Sequence, residues 1–463
     1  MAEFVRLPTR SLGLKFLLVC ALAGLMAIPT MAVWGVQRDR LNSYNEVRNE
    51  ISRYEGGSQT VLGPILLVPY TKQVESTNSE GKKEIVTLRG EAVAFAETGS
   101  ADAQLATESR KRAIYKIPVF QAKVAVEASF DPANAARALS ALDPAAQFDW
   151  SKARIAMGVS NTIGLLSDIV LDLGNGQGRQ LQPTTIQIPN QGGGANYNNG
   201  YSLVAAPIGD LVANPRGPLV AKTSFTLSGA ERFAVAAFAK NTTAKIASAW
   251  PDPSFEGFVL PLNRNVSAKG FTADWGAGLV RRGLPEAATD SNILSEVAGK
   301  DFAVRLTEST NIYTGVDRAL KYSIMFIGLV FLAYFMFEVV SGARAHPAQY
   351  IMIGLAQAIF YLLLLAFAER LGFTVAFVIA AAATVALISL YVQVVFKKRL
   401  YVIPAFLTFT VVYALMYVLM QMEDYSLLVG SLMSFAALAA LMYLTRNVAW
   451  YGAADEREKT SAG

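Results

Sequence analysis

Hydrophobic positions along the chain fall into two regimes. Six stretches are almost uninterruptedly apolar: residues 16–36, 322–340, 348–368, 371–396, 400–422 and 426–445. Each is about long enough for a helix to cross a bilayer core of roughly 30 Å. Between the first and second, apolar residues instead recur at every second position in short runs: 123–130 (KVAVEASF), 153–160 (ARIAMGVS), 184–188 (TTIQI), 222–227 (KTSFTL) and 245–250 (KIASAW). That period fits half-buried antiparallel strands. The clearest helix there is 131–142, with Asp131 as its cap, Pro132 in its first turn and Asp143-Pro144 as its stop. Residues 175–199 are rich in Gly, Asn and Gln and read as a long loop or a boundary between lobes. The pattern therefore predicts an α+β membrane protein. It has a mainly β, sandwich-like extracytoplasmic domain and a six-helix transmembrane region, with one helix N-terminal to the domain and five after it.

The second and third apolar runs are joined by Ser341-Gly342-Ala343-Arg344-Ala345-His346-Pro347, too short for anything but a hairpin turn. Pro347 suits the first turn of the following helix, where its missing N–H leaves no hydrogen bond unmade. The first run follows Arg6, Arg10 and Lys15, as a secretory signal would, and Thr30-Met31-Ala32 resembles a cleavage site. The run exceeds the roughly 7–15 residues of a signal core, however, and Trp34 fits an interfacial anchor, which favours an uncleaved span.

Charge supplies orientation. Only 17% of residues are charged, against roughly 25% in soluble domains. Residues 37–318 carry 29 Lys+Arg and 28 Asp+Glu, so the net charge of +5 comes almost wholly from the membrane flanks. A basic surface for nucleic acid is thereby excluded. With the N-terminus in the cytoplasm, the short loops assigned inside are basic: Arg344 and His346, Lys397-Lys398-Arg399, and Arg446. Those assigned outside hold Glu369-Arg370 and Glu423-Asp424. Six spans with both termini inside satisfy the positive-inside rule. The resulting divisions are 1–15 cytoplasmic, 16–36 span, 37–318 outer β domain, 319–445 five-helix bundle and 446–463 cytoplasmic tail.

Candidate chemistry is sparse. Gly174-Asn-Gly176-Gln-Gly178 resembles part of a phosphate-binding loop but lacks the following helix and reads as plain loop. Asn241-Thr-Thr is a glycosylation sequon of the kind that arises by chance, and Lys82-Lys83 and Arg281-Arg282 read as solvated pairs. The one cysteine, Cys20, lies in the first span and reads as a small apolar filler. His346 is the only histidine, which rules out a multi-histidine metal site. It reads as a cap or interfacial residue before Pro347. Glu338 falls near the cytoplasmic end of the second span, where an ionised carboxylate seeks a cation. Arg344 and His346 are close in sequence, so an ion pair fixing the hairpin is expected, with a pH- or partner-sensitive contact as the sharper alternative. Asp317, Arg318, Lys321 and Tyr322 lie within two turns where the outer domain enters the second span. Asp317 and Lys321 can pair at i,i+4, and a continuous stiff helix would couple the domain to the hairpin. No cofactor or metal ligand set emerges.

Several short signatures resemble a known family. In the outer domain these are Arg112-Ala-Ile-Tyr115-Lys-Ile-Pro118-Val-Phe120, Ser248-Ala-Trp250-Pro251-Asp-Pro253-Ser254-Phe255-Glu-Gly257 and Gly270-Phe271-Thr-Ala273-Asp-Trp275. In the membrane region they are Asp317-Arg318-Ala-Leu-Lys321-Tyr322, Phe337-Glu338, His346-Pro347-Ala-Gln349-Tyr350, Ala368-Glu369-Arg370-Leu-Gly372-Phe373 and Glu423-Asp424-Tyr425. On these the chain resembles the CreD family of inner-membrane cell-envelope integrity proteins, over nearly its whole length. Arg370 departs from the pattern, which has a His after the Glu. The resemblance implies a multi-spanning bacterial inner-membrane protein tied to envelope stress, with its large domain in the periplasm and no enzymatic activity. The expected partners are the lipid bilayer and an envelope protein or peptidoglycan-related component. Transport of an envelope-related small molecule is the rival function. It would call for ionisable groups or helix breaks at mid-membrane, and the span interiors offer Gln357 and Gln393. Nothing in the sequence speaks to oligomeric state.

Overall fold

A computed structural model describes residues 12–77, 82–174, 178–187, 196–197, 200–213, 217–290, 292–307, 312–341, 345–396, 401–421 and 426–446. Two compact units result, one of residues 1–44 with 310–463, the other of residues 45–309.

The first unit is helical. Five helices are long and apolar enough to cross a membrane: the N-terminal one, Ser323–Ser341, Pro347–Leu371, Phe373–Phe396 and Val402–Gln421. The sixth expected span is also helical, as Ser426–Thr445. The N-terminal helix differs from expectation at both its middle and its end. It is interrupted at Met26, between Leu12–Leu25 and Ala27–Glu55. Pro29 explains the break, because it has no N–H for the Leu25 carbonyl four residues back and its ring crowds that carbonyl. The helix then continues past Val36 to Glu55, where Gly56 and Gly57 stop it in left-handed conformations (φ 90° and 71°). Residues 37–55 contain no Gly or Pro, and the sequence pattern did not register this polar extension as helix.

Pro347–Leu371 begins as the sequence implied. His346 is the N-cap: its Nδ1 accepts from the Ala348 N–H at 3.2 Å, and its own N–H donates to Gln349 Oε1 at 2.9 Å. A single residue, Gly372 at φ 81°, separates this helix from Phe373–Phe396. The connector before the second span is not one uninterrupted rod. Ile312–Lys321 ends before an irregular position at Tyr322, and Ser323–Ser341 follows. Residues 308–311 of the connector lie outside the described residues.

The second unit is a large mixed sheet structure. Its organiser is the 30-residue strand Lys83–Arg112. Its first half pairs antiparallel with Gln59–Thr77, from Ile65↔Phe95 to Thr77↔Lys83. Its second half leaves that sheet for another, pairing antiparallel with Tyr115–Phe130. The first sheet extends through Arg154–Val159 and Ser202–Pro207 to Gln182–Thr184. The second adds Leu219–Ala230 on one side, and Ala239–Ser248 with Gly270–Ala277 on the other. The expected strands are present, several of them inside longer ones, and Pro132–Leu142 is a helix capped by the Asp131 carboxylate at the Ala133 N–H (2.9 Å). Two expectations need correction. Pairing is not wholly antiparallel: Gln59–Thr77 runs parallel to Arg232–Ala236, and Lys83–Arg112 parallel to Ala239–Ser248. Residues 175–199 are not simply loop, since Gly178–Gln180, Gln182–Thr184, Ile186–Gln187 and Asn196–Tyr197 form short strands.

One hydrophobic core takes residues from both sheets, and Phe238 marks their seam. It lies between the strand Arg232–Ala236 of one sheet and Ala239–Ser248 of the other, fully buried. Gly63 and Gly99 approach so closely that a Cβ on either would fall 2.5 and 2.4 Å from its ring. Ion pairs tie the segment after Asn45 to the sheets. Arg48 forks onto Glu231, and Glu55 lies 3.4 Å from Arg110. Arg305 Nε then donates to Glu256 at 2.6 Å and Arg232 to Asp301 at 2.6 Å. The Arg305 hydrogen bond holds the Glu256 carboxyl below its ordinary range. Arg282 is buried over the Phe95 ring at 4.3 Å, and burial pushes its guanidinium down to about 10. The basic pair Arg281-Arg282 is thus only half solvated.

Candidate functional site

Glu338 is the charged side chain buried among the described membrane helices, 4% exposed in the last turn of Ser323–Ser341. Burial of a carboxylate there demands partners, since nothing in hydrocarbon replaces its hydration. All of them are present. Oε1 accepts from the Lys15 ammonium and from the Ala345 N–H (2.9 Å), and Oε2 accepts from the Tyr350 hydroxyl (2.7 Å). Lys15 also donates to the Ala345 carbonyl at 2.9 Å. Three helices and the hairpin joint therefore converge on one carboxylate. Around it the rings of Phe16 and Phe335 meet at 5.6 Å, and Tyr350 stands edge-on to Tyr334 at 5.0 Å and to Phe331 at 5.7 Å.

Among the described residues, the cation on Glu338 comes from far away in the sequence. Lys15 supplies the cation, and His346 turns its Nδ1 to the helix cap. Arg344 lies outside the described residues. A hydrophobicity pattern shows that Glu338 needs a cation but not which one, because the choice depends on how helices pack.

The connector residues sit at the opposite end of Ser323–Ser341, roughly 28 Å away by helical rise. Asp317 and Lys321 form the expected pair at 2.7 Å. Arg318 Nη1 donates to the Met420 carbonyl at 3.2 Å, joining the connector to Val402–Gln421. Tyr322 occupies the irregular position between the two helices. The structure thus gathers Glu338 and the joint at one end, and Asp317, Arg318, Lys321 and Tyr322 at the other, without bringing the two groups together.

A second carboxylate at that end escaped the sequence reading. Glu369 Oε1 lies 3.8 Å from Arg40 Nε and accepts from the Tyr313 hydroxyl at 3.4 Å. Gln37, 2% exposed, donates to the Tyr313 carbonyl at 3.4 Å. The N-terminal helix thereby grips Glu338 and Glu369, the acidic residues of the helical hairpin, the first through Lys15 and the second through Arg40. Midway, Met26 seats on Gly354, where a Cβ would lie 2.3 Å from its sulfur. Cys20 is exposed on this helix rather than filling the packed interior. No group of three or more His, Cys, Asp or Glu side chains could hold a metal among the described residues.

This architecture, a bundle of membrane-spanning helices carrying one large mixed-sheet unit between its first and second spans, defines a multi-pass membrane protein. The family model for the inner membrane protein CreD matches residues 11–451. The inner membrane protein CreD of Escherichia coli (strain K12) is 30% identical over 441 residues, which span 94% of this chain and 93% of that one. The chain belongs to the CreD family, and it is a multi-pass protein of the inner membrane.

Proposed function

We propose that this protein supports cell-envelope integrity, with the sheet unit as a periplasmic binding module and the helix bundle as its anchor, and that it is not an enzyme. The observation that carries the binding role is a cleft of about 1060 Å³ in the sheet unit. Thr162, Ser167, Thr184, Thr185, Ser202 and Asp168 line it together with Leu165, Leu166, Ile169, Leu181, Pro183, Leu203 and Val204. An apolar lining set with a few hydroxyl residues and one carboxylate suits a ligand that offers both apolar and hydrogen-bonding groups, such as an envelope peptide. Transport has less support, since the buried carboxylate lies in the last turn of a span and is fully paired.

The test is a photoactivatable side chain placed at Ser167 or Thr184 of the full-length protein in intact cells. Irradiation is expected to give an adduct with an envelope component from these positions and none from Val280, which is 93% exposed on the same unit. Equal labelling at all three, or none, removes the binding reading.

The proposed orientation places both termini and the Glu338 end in the cytoplasm, because every short loop on that side is basic. Reporter fusions at residues 200, 345, 398 and 455 are expected to show periplasmic activity at 200 alone. Periplasmic activity at 345 or 398 excludes the six-span arrangement.

A further inference from the structure

Polar side chains inside the bundle mostly find partners in their own helices. Thr384 Oγ1 donates to the Ala380 carbonyl at 2.8 Å and Thr30 Oγ1 to Met26 at 2.8 Å, and Ser323 Oγ reaches back across Tyr322 to Leu320 at 2.6 Å. Such local bonds are the usual resource of a hydroxyl in an apolar span. Three buried polar atoms break this habit: Tyr334 Oη, Gln357 Nε2 and Ser389 Oγ have no hydrogen-bond partner. Their residues are 0, 2 and 2% exposed. Ser389 in particular forgoes the carbonyl one turn back that Thr384 uses.

The three come from helices that meet. The Tyr334 ring touches both Tyr350 (5.0 Å) and Phe396 (5.4 Å). Gln357 follows Tyr350 by two turns of Pro347–Leu371, and Ser389 precedes Phe396 by two turns of Phe373–Phe396. Two turns return a side chain to nearly the same face, about 10 Å along the axis. The faces that enclose the Tyr334 ring therefore carry Gln357 and Ser389 two turns deeper. The two helices run antiparallel from the Gly372 junction, so these residues lie within roughly 3 Å of one another in depth. Gln357 is also about 15 Å from the start of its helix, near the middle of a bilayer core. The third helix offers Ile327 and Phe331 at this level, both buried and apolar.

An amide N–H and a hydroxyl buried at similar depth on adjoining helices, each without a partner, are costly unless something accepts from them. The donors fix the chemistry of that guest. An N–H repels a cation, and no charge at this depth would neutralise an anion, which leaves a neutral hydrogen-bond acceptor. Water is the smallest such group and can serve both atoms at once.

We propose that the bundle holds a hydration site near mid-membrane, with water bound between Gln357 Nε2 and Ser389 Oγ. Tyr334 Oη, at the level of Tyr350, is a third donor toward the Glu338 cluster. This site is independent of what the sheet unit binds, and the two can fail separately.

The experiment uses the full chain in lipid bilayers with glutamine side chains labelled with nitrogen-15, and solid-state NMR that transfers magnetisation from water. The Gln357 amide signal is identified by its loss in Gln357→Glu. It is expected to receive transfer from water, reduced at least about twofold by Ser389→Ala. A Gln357 signal that receives none overturns the proposal. Thermal stability gives the second readout, with opposite signs for a wet and a dry site. If water satisfies these groups, Gln357→Met and Ser389→Ala each lower the unfolding midpoint, and together they lower it by less than their sum. If the site is dry, removing an unpartnered polar group raises the midpoint, and the proposal is wrong. Should the Gln357 variants not fold, Ser389→Ala deletes one atom and decides the sign alone.

Discussion

Lys15→Met is expected to destabilise the helix bundle by about 3 kcal/mol, the lower end of the range for removing one partner of a buried ion pair. The Glu338 side chain is 5% exposed and would be left with the Ala345 N–H and the Tyr350 hydroxyl as its donors among the described residues. The Lys15 side chain is 22% exposed, which tempers the loss. Tyr350→Phe removes a hydrogen bond to a charged group and is expected to lose about 1.5–3 kcal/mol. The decisive comparison is Lys15→Met combined with Glu338→Leu. Removing both charges eliminates the uncompensated carboxylate, so the double variant should be more stable than Lys15→Met alone. Unfolding in lipid nanodiscs measures these three and Glu338→Leu alone, which completes the cycle. If the two single losses simply add, the pair is not coupled and the Glu338 cluster is not the point at which the N-terminal helix is held.

Phe238→Ala should destabilise the sheet unit by about 3–5 kcal/mol, the usual loss for emptying a fully buried aromatic site. On the Gly99 side the site has little capacity to collapse, because Gly99 is paired on both sides, with Ala128 and with Thr242, whereas Gly63 lies at an irregular step of its strand between Leu62 and Ile65. The same geometry makes a second, opposite demand. Gly99→Ala places a methyl 2.4 Å from the Phe238 ring and is expected to destabilise by overpacking, by about 1–3 kcal/mol. Phe238→Leu should partly relieve Gly99→Ala, since the smaller side chain vacates the contested space. Denaturant unfolding followed by fluorescence of Trp150, Trp250 and Trp275 reads the sheet unit. A neutral Gly99→Ala would show that the ring moves freely, and the seam would then not depend on Phe238.

The family signatures acquire physical meaning once their positions are known. Arg112 to Tyr115 form the hairpin end between two long strands, with Ala113 in a left-handed conformation at φ 54° and Arg112 paired with Glu50. Trp250 donates its ring N–H to the Thr307 carbonyl at 2.9 Å, and Phe271 and Trp275 lie in the core. The Ala368-Glu369-Arg370 signature contributes the carboxylate that faces Arg40. These stretches are turns, core and helix clamps, so the resemblance they carry speaks of fold more directly than of activity.

Elements that depend on local order and solvent are legible in the chain's own residues. Apolar runs long enough for a bilayer, period-two strands, the Asp131 and His346 caps, Pro347 in a first turn and the Asp317–Lys321 pair all follow from neighbours in the chain. Even the break at Met26 has a local cause in Pro29, though hydropathy passes over it. Tertiary structure decided what depends on distant residues. That Glu338 meets Lys15, more than three hundred residues away, depends on which helix packs beside it. That Gln59–Thr77 and Lys83–Arg112 each gain a parallel neighbour depends on a chain crossing at Phe238. And that Tyr334, Gln357 and Ser389 come to lie without partners on adjoining helices depends on three faces meeting. Hydrophobic periodicity reports which face of an element is buried, but it carries no information about what that face is buried against.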